Sequence, residues 1–205
     1  SSKSILRLET HSHILILINE IYKILSALEL SIKERAVMIR QTTPHDIEMV
    51  LAINNDAVPA VNSLTANELT DIINISEKSW VVDEGDEIVG VLIVIGPGES
   101  YGSANYTWLN SQFTDFCYVD RIIIASSGKR KGHGKALYLA LEEHAASTGK
   151  KVLLCEVNVE PENPQSMAFH ESLGWVPFQD REHGPGKIVR YFKKLIRSDY
   201  FFFGK

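Results

Sequence analysis

The sequence predicts an α/β (α+β) domain over residues 38–196, with elements in the order β-α-α-β-β-β-α-β-α-β-β. Three observations carry that prediction. Ile122, Ile123 and Ile124 form a β-branched run that passes through a basic, glycine-containing loop straight into helical spacing. Short apolar runs recur at 37–40, 79–83, 88–95, 116–124, 152–159, 175–180 and 187–195, seven strands in all. Between several of them, apolar residues fall three and four apart, as on one face of a helix.

The first 37 residues stand outside this order. Residues 13–30 carry Ile14, Leu15, Leu17, Ile18, Ile21, Leu25 and Leu28 at near-helical spacing. Asn19, Glu20 and Lys23 interrupt the apolar run well short of the roughly 20 residues needed to span a bilayer. The expectation is an extra amphipathic helix, a 1–37 extension that packs on the domain or on a second copy, which would make a homodimer. Residues 197–205 read as a C-terminal tail.

From residue 38 the elements follow in turn. Residues 37–40 form a first strand, and Pro44-His45-Asp46 opens a helix with Asp46 at its positive end. Ile47, Val50, Leu51 and Ile53 continue it until Asn54-Asn55-Asp56 and Pro59 break it. Thr65 and Glu68 have capping-box spacing ahead of a helix through Leu69, Ile72 and Ile73. Glu84-Gly85-Asp86-Glu87 reads as a hairpin turn. Residues 101–112 read as a long polar-aromatic loop, a candidate binding loop. After the glycine loop, a helix runs to near Gly149. Asn163 is a natural N-cap, Pro164 a natural first residue, and Gly174 a natural stop for a short helix.

The glycine loop is the segment with chemical content. Lys129-Arg130-Lys131-Gly132-His133-Gly134-Lys135 lies where a helix begins. A helix start offers unpaired N–H groups and positive potential, a seat for phosphate. It is not a Walker A loop: Ala136 follows Lys135 where a hydroxyl is needed, and Lys129 stands where the first glycine belongs. It is not a dinucleotide fingerprint, because Leu137 occupies the third glycine position.

What remains resembles the coenzyme A loop of the GNAT (Gcn5-related) N-acetyltransferases, with Lys129 in place of the usual Gln or Arg. A second segment agrees. Asn163-Pro-Gln-Ser166 through Phe169-His170-Glu-Ser-Leu173-Gly174-Trp175 is similar to that family's Asn-x-x-Ala/Ser…Leu-Tyr-Glu-Lys-Leu-Gly-Phe segment. Tyr118-Val-Asp-Arg-Ile and Glu156-Val-Asn158 are similar to a bacterial subgroup of predicted acetyltransferases. The resemblance covers residues 38–196 and implies the GNAT fold: a mixed central sheet of about seven strands flanked by helices.

The resemblance also implies acetyl-CoA as cofactor. Backbone groups of Ile122, Ile123 and Ile124 would pair with its pantetheine arm. Amides from Arg130 through Lys131, Gly132, His133 and Gly134 would hold the pyrophosphate, with Lys129, Arg130 or Lys135 adding charge. Asn163 and Ser166 match family positions near the same groups, although Asn163 is equally read as a helix cap. Acetyl transfer to an amine needs a base and a proton for the departing sulfur. Glu156 and Asp120 are the candidate bases. Asp120 is alternatively an ion-pair partner of Arg121. Glu156 lies in an otherwise apolar strand, so its carboxylate must be partnered or functional. The family's usual acid is the Tyr of Leu-Tyr-Glu-Lys; here His170 stands in its place, with Tyr138 or no acid at all as alternatives. Cys155 is read as a small buried hydrophobe.

The acceptor amine is expected under residues 54–63 and 101–112, lined by Asn54, Asn55, Tyr101, Asn105, Tyr106 and Trp108. No metal is expected. The chain's 205 residues carry a net charge of −5, so no general basic field invites nucleic acid. The two cysteines, Cys117 and Cys155, with no secretory signal, read as free thiols in a cytoplasmic protein with no membrane attachment. A non-catalytic acyl-CoA-binding module on the same fold is the competing expectation.

Overall fold

The structure, a computed structural model, describes residues 17–26, 37–85 and 87–196. The chain divides into two compact units, residues 1–37 with 84–86, and the remainder. In the first unit, residues 17–26 are helical (α1). Leu17, Ile21 and Leu25 recur one turn apart, and Lys23 pairs with Glu20 at 2.9 Å. The rest of the expected helix over 13–30, and the tail at 197–205, lie outside the described residues.

The second unit is a seven-stranded sheet in the order β1-β2-β3-β4-β5-β7-β6. The strands are β1 (Met38–Gln41), β2 (Lys78–Asp83), β3 (Ile88–Ile95), β4 (Phe116–Ile124), β5 (Val152–Glu160), β6 (Val176–Glu182) and β7 (Ile188–Leu195). Helices α2 (Ile47–Asp56) and α3 (Ala66–Ile75) join β1 to β2, and α4 (Ala104–Gln112) joins β3 to β4. Helix α5 (His133–Ser147) crosses from β4 to β5, and α6 (Pro164–Ser172) leads from β5 to β6. A parallel pair requires such a crossover, and β4 with β5 is the parallel pair; the other pairings are antiparallel.

Both faces of the sheet are covered, which is why β3 is an unbroken apolar run with all eight residues buried. Val91, Ile93 and Ile95 join the core with Leu69 and Ile72 of α3 and with Tyr106 and Leu109 of α4. Leu92 and Val94, on the opposite face, pack with Leu137, Tyr138 and Leu141 of α5.

The expected local signals operate. Thr65 and Glu68 cap α3 reciprocally, Thr65 N–H donating to Glu68 Oε2 at 2.7 Å and Glu68 N–H to Thr65 Oγ1 at 3.3 Å. Asp46, expected to serve a helix end, also takes a bidentate grip from Arg40 at 2.7 and 2.8 Å, which holds its carboxyl down at about 2. The principal departure is α4, a helix where a loop is expected. Only Tyr106 and Leu109 of it are buried, too few to draw an apolar stripe, and Ser103 Oγ caps it by accepting from Tyr106 N–H at 3.3 Å.

Candidate active site

Strands β4 and β5 are paired at three positions only, Phe116–Val152, Cys117–Leu153 and Tyr118–Leu154. Beyond them the strands part: β4 continues against β3 alone, and β5 against β7 alone. The gap opens into a cleft of about 820 Å³, whose walls include Tyr101, Asn105, Asp120, Ile122, Glu156 and His170.

The parting coincides with a bulge in β4. Ile93 and Val94 of β3 face Arg121 and Val119, which leaves Asp120 without an opposite residue. Asp120 is therefore turned into the cleft wall with both oxygens engaged. Oδ1 accepts from Tyr101 OH at 2.6 Å and Oδ2 from Arg121 Nε at 2.7 Å. Arg121 is buried and donates onward to Asn54 Oδ1 at 2.7 Å. The reading of Asp120 as a base gives way to its alternative, an ion-pair partner.

Glu156 is different. Its Oε1 accepts from Asn105 Nδ2 at 2.7 Å and from Tyr118 OH at 3.0 Å. Its Oε2 is sealed from water and has no hydrogen-bond partner. Burial, helped by the charge of Asp120, pushes the carboxyl up to about 8 against the opposing pull of those two hydrogen bonds. Behind it runs a chain of donors: Tyr191 OH donates to Asn105 Oδ1 at 2.7 Å, and His183 Nε2 lies 3.2 Å from the Tyr191 oxygen. Since the Tyr191 hydrogen is committed to Asn105, His183 is the donor in that contact.

His170 lies 3% exposed among Tyr138, Phe169, Trp175 and Phe192. Its Nδ1 is 2.7 Å from the Ser166 carbonyl, which can only accept, so Nδ1 carries the hydrogen. Burial holds the imidazole below its usual range, hence neutral, and Nε2 accepts from Tyr138 OH at 2.7 Å. In this form His170 has no proton to give, contrary to its expected role as an acid. Tyr138 lines the cleft beside His170.

The glycine loop sits beyond this cleft at the start of α5. Arg130 and Gly132 have left-handed backbone, φ 64° and 86°, which turns the loop, and Gly132 is the N-cap. The N-cap of α5 is a glycine and offers no side-chain cap, whereas Thr65, Ser103 and Asn163 cap α3, α4 and α6. Lys129, Arg130, Lys131 and Lys135 are exposed around it, and His133 is buried. Gly134 has a different reason to be glycine: a Cβ there would lie 2.9 Å from Phe169 Cζ of α6. Gly134→Ala is expected to force that ring aside and lower stability by about 1–3 kcal/mol, read from the thermal midpoint.

Other expected residues are placed as follows. Ile122 faces the cleft, while Ile123, Ile124 and Lys129 border a separate hollow of about 430 Å³. Asn163 and Ser166 line the cleft, with Asn163 Oδ1 accepting from Ser166 N–H at 3.2 Å as the cap of α6. Tyr101 and Asn105 line it as expected. Asn54, Asn55, Tyr106 and Trp108 do not. Asn54 and Asn55 staple the following loop by donating to Asn62 O and Leu64 O, at 3.1 and 3.0 Å. Tyr106 is buried, its OH donating to Gly96 O at 2.8 Å. Trp108 packs on Tyr191 and under Arg181. Tyr118, Tyr191 and His183 were not expected. The register would have found Tyr118: beside Leu154, it shares a face with Glu156 two residues on.

A model of the acetyltransferase (GNAT) family matches residues 48–175. The chain belongs to that family. Solved structures agree in fold. A ribosomal-protein-alanine N-acetyltransferase from Brucella melitensis is 21% identical, with TM-score 0.61, covering 77% of this chain and 99% of that one. yncA from Salmonella typhimurium, solved with its cofactor acetyl-CoA, is 19% identical, with TM-score 0.61 and coverage of 80% and 96%. Ard1 from Thermoplasma volcanium is 16% identical, with TM-score 0.64 and coverage of 79% and 99%. A search of curated proteins gives no match. On this GNAT chain the parted strands and the start of α5 are the two features that fit a long thioester nucleotide: a slot for its arm and the positive end of a helix for its diphosphate. No helix among the described residues is long and apolar enough to cross a membrane.

Proposed function

We propose that the chain is an acetyl-CoA-dependent N-acetyltransferase that acetylates a primary amine, with Glu156 as the base. The observation that carries this reading is the sealed, partnerless Oε2 of Glu156 in the cleft where β4 and β5 part. A buried acceptor without a donor is unfavourable by about 1–3 kcal/mol, and an amine N–H would supply that donor.

Acetyl-CoA supplies the acetyl thioester, whose acyl carbon bonds to the amine nitrogen as the carbon–sulfur electron pair goes to sulfur. The β4 edge from Ile122 to Ile124 and the amides of the glycine loop and the start of α5, from Arg130 to Gly134, would hold it. Glu156 Oε2 takes a proton from the ammonium, and with a value about 8 it is matched to a group that titrates somewhat higher. Asn105 and Tyr118 occupy Oε1, so Oε2 is the oxygen left to take the proton, and an amine must displace the wall that covers it to make the contact. Tyr138 OH, which donates to His170 Nε2 at rest, would supply the proton by turning its O–H from His170 to the departing sulfur, and His170 is its positioning residue.

The test is release of free CoA thiol from acetyl-CoA across a panel of small amines and peptide N-termini, with acetyl-CoA binding measured in parallel. Turnover with at least one amine is expected. Tyr138→Phe is expected to lower kcat roughly 10²-fold with acetyl-CoA binding retained. Binding without turnover on any amine would instead mark an acyl-CoA-binding module, and no binding would remove the reading altogether.

A further inference from the structure

We propose that Glu77, Cys117 and His144 form a zinc site at the opposite end of α5 from the glycine loop. The three come from three elements: the residue before β2, strand β4, and the last turn of α5. Their donor atoms, one from each side chain, lie within 4.8 Å of one another. None of the three lines the cleft. Cys117 adjoins Tyr118, but successive strand residues face opposite ways, so it belongs to the α5 side of the sheet. His144 stands eleven residues beyond His133 in α5, about 16 Å along the helix axis.

The donor set suits one class of metal. Imidazole nitrogen, thiolate sulfur and carboxylate oxygen together are what zinc binds, and magnesium or calcium would not choose the sulfur. Bond lengths of about 2.0–2.3 Å put tetrahedral zinc ligands about 3.3–3.6 Å apart, so the donors need to close by no more than about 1.5 Å. His144 Nε2 and Glu77 Oε1, hydrogen-bonded at 2.8 Å, would instead part by about 0.5 Å as the metal replaces the shared hydrogen.

The surroundings orient the carboxylate. Glu77 N–H donates to Val94 O at 2.9 Å, and its carboxylate lies over Gly96, where a Cβ would collide with Oε2. Lys150 Nζ holds Oε2 at 2.9 Å, which leaves Oε1 for the metal and supplies the outer hydrogen bond that ligating carboxylates generally have. Trp80 sets its ring edge-on to His144 at 5.8 Å between centroids. The Glu77 and His144 side chains remain 20% and 13% exposed, so a water can complete the fourth position. On binding, the His144 ring hydrogen passes from Nε2 to Nδ1. The Cys117 S–H bond ionises, and its proton leaves to solvent.

The experiment uses the tag-free chain, stripped with chelator and titrated with Zn²⁺ and, separately, Co²⁺. One zinc per chain by elemental analysis, a rise in thermal midpoint with Zn²⁺, and a thiolate-to-cobalt charge-transfer band with tetrahedral visible bands are expected. Cys117→Ser should abolish the charge-transfer band and weaken zinc binding at least about 100-fold. Because Cys117 is buried and its replacement can disturb folding, His144→Gln serves as the second variant, with the same loss of affinity and an unchanged metal-free circular dichroism spectrum. Glu156→Gln should keep the metal. No bound zinc, a cobalt spectrum without the thiolate band, or a zinc response in the two site variants equal to that of the unaltered chain would overturn the proposal and leave an ordinary Lys150–Glu77–His144 ion-pair network. Thiol release in the same samples reports on acetyl transfer separately.

Discussion

Glu156→Gln is expected to lower acetyl transfer by about 10²–10⁴-fold while making the folded chain more stable at alkaline pH. The two effects share one cause. The Gln carbonyl can still accept from Asn105 and Tyr118, so the network is kept, but the group that takes the proton is gone. In the wild type, the carboxyl is pushed from an ordinary 4.5 up to about 8 by burial. Between those values the folded chain holds a proton that the unfolded chain has lost. The contribution is therefore fully present below about 4.5, declines as pH rises, and is gone above about 8. By linkage the whole decline amounts to about 5 kcal/mol. Urea unfolding at pH 5 and pH 8.5 should show the variant and wild type converging at the lower pH and separated at the higher one. The wild-type rate should climb with pH towards a plateau above about 8, as Glu156 loses its proton, and this limb should vanish in the variant. A variant that keeps full activity would remove Glu156 from the reaction.

Arg121→Met is expected to destabilise the chain by about 3–5 kcal/mol. Asp120 and Arg121 side chains are 5% and 3% exposed and joined at 2.7 Å. Removing the guanidinium leaves the Asp120 charge buried with Tyr101 as its remaining donor, and leaves Asn54 Oδ1 without Arg121. Asp120→Asn combined with Arg121→Met should recover part of the loss, because no lone buried charge is then left. Guanidinium denaturation of the two variants measures both. A loss no greater than that of a surface substitution would mean that water reaches this pair.

Much of the fold was legible because local chemistry dictated it. The isoleucines of β4, the break at Ser126–Gly128, and the helical spacing from Leu137 each point to one conformation. Asn163, Pro164 and Gly174 bound α6 because a cap, a fixed φ and a left-handed residue have few substitutes. Helix α4 was hidden because its burial is confined to Tyr106 and Leu109. The site was legible in single residues and not in combinations. Glu156 stood out as a charge in an apolar strand, but its partners Tyr118 and Asn105 lie 38 and 51 positions away. Asn54 and Asn55 were assigned to the acceptor because polar loop residues look available. Their amides are spent on the loop's own backbone. His170 was legible as a departure from the tyrosine of the family segment, while its fixed tautomer depended on the Ser166 carbonyl, visible only once α6 is folded. Residues 77, 117 and 144 carry no metal-binding spacing at all; their meeting is a product of the fold.

The three rungs shared by β4 and β5 have a mechanical consequence. The sheet therefore falls into two parts joined at those points, one ending at β4 and the other starting at β5. Their spacing is then set by the strut laid across them, helix α5, whose Leu137, Tyr138 and Leu141 pack against side chains from both parts. Trimming one of those side chains would change not only how firmly the chain folds but how wide its jaws stand.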